Sequence, residues 1–247
     1  MSEQRPEVVN ITETEIMTVA DSKYLGWLEI LLRSLKVFHR DKRVVVIGVN
    51  LRDDEINLIS GWNSLATIRR VSVDCSAANF AAIIANRRPY WLRELMASSR
   101  ANILLMDADM IIRAPLDPLL QALSDTRVGV VFRSGWEGQR VHACLRVAAG
   151  LLYVGQMCRQ FVDDWIATME SLEQIEEIAR DAWFWEQSCL HLTSQKHLHK
   201  CAAISPELYL NSYPFSNEAS IWSAHASGPG KNKIQQMFRQ ELERFTS

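Results

Sequence analysis

The sequence predicts an α/β fold built around one mainly parallel central sheet flanked by helices. The chain has 247 residues, of which 48% are hydrophobic, with only 10 Gly and 7 Pro. This composition is typical of a globular core and excludes disordered and collagen-like chains. Short apolar runs alternate with apolar stripes of helical spacing along most of the chain. Such alternation indicates right-handed crossovers between parallel strands.

Apolar runs of strand length predict six strands. Continuous β-branched residues, as in 43–49, are typical of strands that are buried on both faces. The predicted strands are 16–20, 43–49, 67–73, 102–106, 128–133 and 149–155.

Helices are predicted between these strands from spacing and capping signals. Gly61 is placed to end a short helix, and Pro89 suits the first turn of another. A C-terminal amphipathic helix carries charges of both signs, so we expect it to pack on its own domain and not on a membrane. The predicted helices are 24–38, 53–60, 89–99, 157–172, 182–192 and 231–245.

Charge, hydropathy and cysteine content limit the classes of function that the sequence allows. The formal net charge is −2, so no broad basic field is available for nucleic acid. No apolar run is long enough to span a membrane, and the polar first residues do not resemble a signal peptide. The five cysteines lack a CxxC spacing, which indicates reduced thiols and predicts a cytoplasmic protein.

An acidic pair follows the fourth predicted strand. Asp107 and Asp109 flank Ala108 directly after the apolar run 103–106. Residues two apart at a strand end point to the same side, and ligands of open α/β sheets gather at the carboxyl ends of the strands. Two adjacent carboxylates repel one another unless a cation or a shared proton is present, and a divalent ion meets that need. The alternative is a solvated turn with helix-capping carboxylates.

A second polar segment follows the apolar pair 221–222. It begins at His225 and has the sequence His-Ala-Ser-Gly-Pro-Gly-Lys. A histidine at a strand end adds a nitrogen ligand, which favours Mn²⁺ over Mg²⁺. Its glycines, Gly228 among them, permit close approach to a phosphate, and Lys231 supplies a mobile cation. Taken alone, the segment is also typical of an ordinary turn with a surface lysine.

Together the two segments resemble the retaining glycosyltransferases of the glycogenin and lipopolysaccharide galactosyltransferase type, glycosyltransferase family 8, which have the GT-A fold. The resemblance covers about residues 15–235, in five segments that keep the family's order. Because no linker or repeat interrupts the sequence, a single domain over residues 1–247 is predicted. The resemblance implies that Asp107, Asp109 and His225 hold Mn²⁺ or Mg²⁺.

The resemblance further implies a nucleotide site at the first strand. Residues 19–24 are similar to the family segment in which an acidic residue and a tyrosine contact the nucleoside. Here these residues are Asp21 and Tyr24, with Ala20 beside them, and Ala108 is expected to face the same nucleotide. From the sequence alone, Asp21 is a helix N-cap and Tyr24 a core aromatic residue, and both interpretations can hold.

Further segments resemble the parts of the family that bind the sugar. Ala149 and Gly150 stand where the family lines the donor sugar, although small residues at a strand start also allow close packing. Glu186 and Gln187 resemble the pair beside the anomeric carbon, and the resemblance implies that they are catalytic. For Glu186 a solvated helix face is the alternative.

Basic residues before the acidic pair resemble those with which the family reaches the diphosphate or the sugar. They are Arg87, Arg88 and Arg93, of which Arg93 is assigned to donor binding. Arginines on a helix are also ordinary surface charges.

Two departures from the family pattern bear on the sugar. Ala148 replaces the usual Asn and removes an amide, and Glu186 replaces the usual Asp and lengthens the side chain by one methylene. At 232–233, Asn-Lys stands where Pro-Trp often follows. These departures leave the identity of the sugar open.

The resemblance implies a metal-dependent hexosyltransferase that uses a UDP-sugar and retains configuration. The acceptor stays open between a glycan, a lipid-linked sugar and a protein side chain, and peripheral contact with a membrane also stays open. A non-catalytic nucleotide-sugar-binding protein is the alternative. A sugar nucleotidyltransferase fits less well because 19–27 lacks a Gly-rich triphosphate loop, and Ile111 argues against a haloacid-dehalogenase-like phosphatase.

Overall fold

The computed structural model describes residues 13–74, 80–133, 146–175, 185–224 and 229–246. Within these ranges the strands are β1 (Thr14–Ala20), β2 (Val44–Val49), β3 (Ala66–Val71), β4 (Asn102–Asp107), β5 (Met110–Ile112), β6 (Val128–Phe132), β7 (Val147–Val154), β8 (Cys201–Ala203) and β9 (Ile221–Ser223). The helices are α1 (Leu25–Phe38), α2 (Asp53–Trp62), α3 (Phe80–Ser98), α4 (Asp117–Ala122), α5 (Arg159–Ile175), α6 (Trp185–Lys196), α7 (Pro206–Tyr209) and α8 (Lys231–Thr246).

The central sheet has seven strands in the order β3-β2-β1-β4-β7-β6-β8. Its pairs β3–β2, β2–β1, β1–β4 and β6–β8 are parallel, whereas β7 is antiparallel to both β4 and β6. A separate antiparallel pair, β5 and β9, lies beyond the end of β4. The mainly parallel α/β sheet is therefore confirmed, with one antiparallel strand in its interior.

Both faces of the central sheet are buried, which explains the continuous apolar runs. Along β1, Ile16 and Ala20 pack into the core beneath α1, whereas Met17 packs into the core formed with α3 and α5. All six residues of β2 are buried in the same two-sided way.

The C-terminal helix packs on the domain, as predicted. Ile234, Phe238 and Leu242 of α8 are buried in a third core cluster with Trp27 of α1 and Trp222 of β9. The rings of Trp27 and Phe238 meet edge to face at 5.7 Å between centroids. None of the described helices is both long and apolar enough to cross a membrane.

Several predicted boundaries are wrong. Pro89 lies inside α3, which is already helical at Phe80, and does not begin the helix. Gly61 lies inside α2, because the helix continues to Trp62. β3 spans Ala66–Val71 and ends before the predicted residue 73. The predicted helix 182–192 is observed from Trp185 to Lys196, and residues 182–184 lie outside the described ranges.

Candidate functional site

Several of the predicted site residues lie together where three neighbouring strands of the central sheet reach one edge. β1 ends at Ala20 and β4 ends at Asp107, and because these strands are parallel their ends share one edge. β7 runs the other way, so its beginning, not its end, reaches this edge. Just beyond, the Ala224 N–H donates to the Asp109 carbonyl oxygen at 2.9 Å, which attaches the end of β9 to the acidic pair.

Asp107 is held by a buried arginine. The Arg88 guanidinium, on α3, binds Asp107 through one terminal nitrogen and the Glu186 carboxylate, at the start of the described part of α6, through the other. Gly150 of β7 makes room for this arrangement, since a Cβ there would lie 2.6 Å from Asp107 Oδ2. Asp107, Arg88, Glu186 and Gly150 thus come from four different elements and meet at one point.

Asp109 faces a different cation. Lys231 Nζ, at the first residue of α8, lies 3.3 Å from Asp109 Oδ2 and 3.2 Å from the Tyr24 hydroxyl oxygen. The same ammonium lies 5.1 Å from the centroid of the Tyr24 ring. The structure therefore brings Tyr24, Asp109 and Lys231 together although they are distant in the sequence.

Asp21 is an N-cap in the structure. Its Oδ1 accepts hydrogen bonds from the N–H groups of Lys23 at 2.9 Å and Tyr24 at 3.1 Å, in the short 3₁₀ turn between β1 and α1. Such capping satisfies N–H groups that have no partner within the helix. It also fixes the direction in which Tyr24 leaves the end of β1.

Glu186 and Gln187 are buried and do not lie on a solvated helix face. The Glu186 N–H donates to Asn86 Oδ1 at 3.1 Å, and its carbonyl oxygen accepts from Trp165 Nε1 at 2.8 Å. Gln187 Oε1 accepts from the Ala149 N–H at 3.1 Å. That last bond has a structural reason: the register of β6 against β7 shifts between Val130 and Val131, so residues 149–151 are skipped in that pairing.

Burial and ion pairing have opposite effects on the charges at this edge. Burial raises the pKa of Glu186, and the nearby Arg88 only partly offsets this effect. Burial alone would lower the pKa of Arg88, but the carboxylates of Glu186 and Asp107 outweigh it and keep the guanidinium charged. For Lys231, Asp109 and Tyr24 likewise outweigh burial and raise the pKa.

Two polar atoms at the Arg88–Glu186 pair are buried without a hydrogen-bond partner among the described residues. They are Arg88 Nε and Glu186 Oε2, one a donor and the other an acceptor. Buried polar groups are nearly always hydrogen-bonded, and each exception needs an explanation. A bound ligand that carries hydroxyl groups could satisfy both atoms, because a hydroxyl both donates and accepts.

Some predicted residues are not part of this cluster. The Arg93 side chain is exposed on α3, with its guanidinium 5.7 Å from the centroid of the Tyr90 ring. Ala108 is buried in the core, and Ala149, also buried, contacts Gln187 through its N–H. His225 and Gly228 lie outside the described residues.

The acidic pair suits a hard divalent ion in chemistry, since both side chains supply carboxylate oxygens. Each carboxylate nevertheless already has a cationic partner, Arg88 for Asp107 and Lys231 for Asp109. In the described ranges, no three His, Cys, Asp or Glu side chains are grouped so that they could hold a metal. The described residues therefore supply two of the three predicted metal ligands, Asp107 and Asp109. The third, His225, lies outside the described ranges.

Three residues of this arrangement were not singled out from the sequence as site residues. Arg88 is one of three arginines that precede the acidic pair; the resemblance assigns donor binding to Arg93, whereas the structure brings Arg88 to Asp107. The other two residues are Asn86 and Trp165, which bond to the main chain of Glu186. They lie on other helices, and sequence spacing alone does not connect them to position 186.

Comparison with known proteins bears on the fold. No protein-family model and no curated protein matches the sequence. Solved structures do match: the galactosyltransferase LgtC, in complex with donor and acceptor sugar analogs, superposes with a TM-score of 0.64 at 18% identity, covering 94% of this chain and 96% of that one.

Two further glycosyltransferases show the same likeness. The bifunctional enzyme WbbM has a TM-score of 0.61 at 12% identity, over 95% of this chain and 50% of that one. GlyE from Streptococcus pneumoniae, in its apo form, has a TM-score of 0.59 at 12% identity, over 95% of this chain and 63% of that one. The chain therefore has the GT-A fold of these glycosyltransferases, as the sequence predicted.

Proposed function

We propose that the protein is a metal-dependent glycosyltransferase that moves a hexose from a UDP-sugar to an acceptor hydroxyl with retention of configuration. The observation that carries the proposal is the convergence of Asp107, Asp109, Lys231, Tyr24 and the buried Arg88–Glu186 pair at one sheet edge of a GT-A fold. The likeness to LgtC, which was solved with sugar analogs, supports the same class of substrate.

Different residues of the site suit different parts of a nucleotide sugar. Tyr24 offers an aromatic ring to the nucleobase, and Lys231 supplies the cation for the diphosphate. The Arg88–Glu186 pair would offer its unsatisfied donor and acceptor to the hydroxyl groups of the sugar. Carboxylates and cations are both needed because the leaving group is an anion that itself binds metal.

Asp107 and Asp109, with His225, would hold Mn²⁺ or Mg²⁺, which when bound supplies Lewis-acid stabilisation of the leaving diphosphate. Lys231 would stabilise the same negative charge as the bond between the sugar and the diphosphate breaks. Glu186 would stabilise the positive anomeric centre. The incoming hydroxyl would enter on the face from which the diphosphate departs; its oxygen would bond to the anomeric carbon as the bond to the diphosphate breaks, and its proton would pass to the departing diphosphate oxygen.

A panel of UDP-sugars tests this proposal, with free UDP measured by mass spectrometry in the presence and absence of an acceptor mixture. We expect release of UDP from at least one donor when Mn²⁺ is present and loss of that release with EDTA. Asp109→Ala should reduce release by at least about 100-fold, since even residues that only support metal ligands are worth 10–100-fold.

Asp163→Ala is the matched control, because Asp163 is exposed on α5. Wild-type turnover by Asp109→Ala would refute the assignment of the acidic pair. Tight UDP binding without release of UDP from any donor would favour the non-catalytic binding protein instead.

A further inference from the structure

Helix α3 holds Glu186 through two different groups of that residue. The Asn86 side chain accepts the Glu186 N–H at 3.1 Å, and Arg88, two residues further along α3, binds the Glu186 carboxylate. The Asn86 and Arg88 side chains are both almost fully buried. One short segment therefore contacts both the main chain and the side chain of a single residue of α6.

The main chain of Glu186 is also held from the opposite side. Its carbonyl oxygen accepts from Trp165 Nε1 of α5 at 2.8 Å. The N–H and the carbonyl oxygen of this one residue are thus both bonded to side chains of other helices. Two such bonds, together with the ion pair, leave Glu186 little freedom to move relative to α3 and α5.

Pro89 lies directly after the segment that makes these contacts. Proline has no N–H to donate to the carbonyl of Ala85, and its ring crowds that carbonyl. The regular helical bonding of α3 is therefore interrupted within the turn that carries Asn86 and Arg88. This interruption is tolerated inside a 19-residue helix in which Pro89 is itself buried.

We propose that Asn86 is a positioning residue for the reaction: by fixing the main chain of Glu186, it sets the distance at which the Glu186 carboxylate and Asp107 share the Arg88 guanidinium. This inference rests on the proposed function for its kinetic consequence. Asn86 itself bonds to the main chain of Glu186, so it acts through Glu186 and Arg88.

The test compares two buried asparagines whose side-chain oxygens both accept a backbone N–H. Asn86→Ala removes the bond to Glu186. Asn63→Ala, in the loop between α2 and β3, removes the bond from the Leu65 N–H to Asn63 Oδ1 at 2.9 Å and also the bond that Asn63 Nδ2 donates to the Leu32 carbonyl oxygen at 3.3 Å. Both variants are expected to lose thermal stability, so the melting temperature alone does not distinguish a positioning role.

UDP-sugar turnover provides the readout that a merely structural role would not move. We expect Asn86→Ala to lower kcat by about 10–100-fold while KM for the UDP-sugar changes by less than about 3-fold, since misplacement of a reacting group by about 1 Å costs that much. Asn63→Ala should keep kcat within about 2-fold of the wild type. Asn86→Asp, which keeps the acceptor oxygen, should recover most of the lost rate.

Hydrogen exchange of the Glu186 amide, followed by NMR, gives a second readout that needs no activity. We expect exchange to become at least about 10-fold faster in Asn86→Ala and to return towards the wild-type rate in Asn86→Asp. Equal kcat in Asn86→Ala and Asn63→Ala would overturn the inference. If the wild type turns over no UDP-sugar, the proposed function fails, and unchanged Glu186 exchange in Asn86→Ala would then overturn the inference separately.

Discussion

Gly150→Ala is predicted to damage the site through a single added methyl group. A Cβ at this position would lie 2.6 Å from Asp107 Oδ2 and 3.2 Å from Asp107 Cγ. Ordinary van der Waals contact begins at about 3.4 Å, so the carboxylate oxygen must retreat by about 0.8 Å. The nearby Met110 methyl, at 3.4 Å, need not move.

Asp107 cannot make that movement freely. Arg88 holds its other oxygen, and the same guanidinium is bound to the buried Glu186. A shift of Asp107 therefore strains the ion pair or rotates the carboxylate away from its neighbours. Overpacking of this kind costs about 1–3 kcal/mol, and a displacement of about 1 Å in a catalytic group costs about 100-fold in rate.

The assay measures stability and donor use in the same variants. We expect Gly150→Ala to lower the free energy of unfolding by about 1–3 kcal/mol and kcat/KM for the UDP-sugar by about 100-fold. Gly61→Ala is the control, because a Cβ at that helical position meets nothing within 4 Å. That substitution should leave activity unchanged and raise stability by about 0.5–1 kcal/mol. Wild-type kcat/KM in Gly150→Ala would refute the contact with Asp107 as a constraint on the site.

Two further predictions concern Lys231 and His39. Lys231→Met should weaken UDP binding by about 10-fold, because it removes a charged hydrogen bond that solvent partly screens. Uridine binding should stay nearly unchanged. Calorimetry measures both affinities, with Lys233→Met as the control, and equal losses for UDP and uridine would contradict the proposed contact between Lys231 and the diphosphate. His39 is buried, its Nε2 accepts the Leu116 N–H at 2.8 Å, and burial lowers its pKa from the ordinary 6.5. Because the unfolded chain binds the proton more readily, stability should be full above pH 6.5 and fall as the pH drops below it. Urea unfolding between about pH 5 and 7 should show this slope, and the slope should be shallower in His39→Gln; the same slope in the variant would exclude His39 as its origin.

The sheet was predictable because its strands are buried on both faces. Runs such as 43–49 leave few alternatives to a central strand, and the helices between them imply parallel crossovers. The antiparallel direction of β7 was not predictable in this way, since an apolar run reads the same in either direction. The boundary errors at Gly61 and Pro89 share a cause: helix propensity favours a break there, but packing against the sheet continues the helix.

The candidate site, like the fold, was predictable only in part. Asp107 could be placed because it ends a strand and strand ends share an edge, whereas Tyr24 was assigned to the site only through the family resemblance. The assignment of Arg93 and not Arg88 to donor binding had no physical basis in the sequence, because only the orientation of α3 on the sheet decides which of them is buried beside Asp107 and which is exposed. A solvated face for Glu186 is equally compatible with the sequence, because nothing about a polar residue on a weakly amphipathic helix indicates the arginine with which it pairs.

The contact between α1 and α8 both buries apolar surface and sets the spacing of two site residues. Tyr24 immediately precedes α1 and Lys231 begins α8, and the two helices meet through Trp27 and Phe238. Tyr24 and Lys231, 207 residues apart in sequence, therefore keep their spacing only while this helix pair stays docked. Any lesion that loosens α8 would uncover apolar surface on α1 and in the same event withdraw the Lys231 ammonium from Asp109, so solubility and affinity for the proposed substrate should decline together.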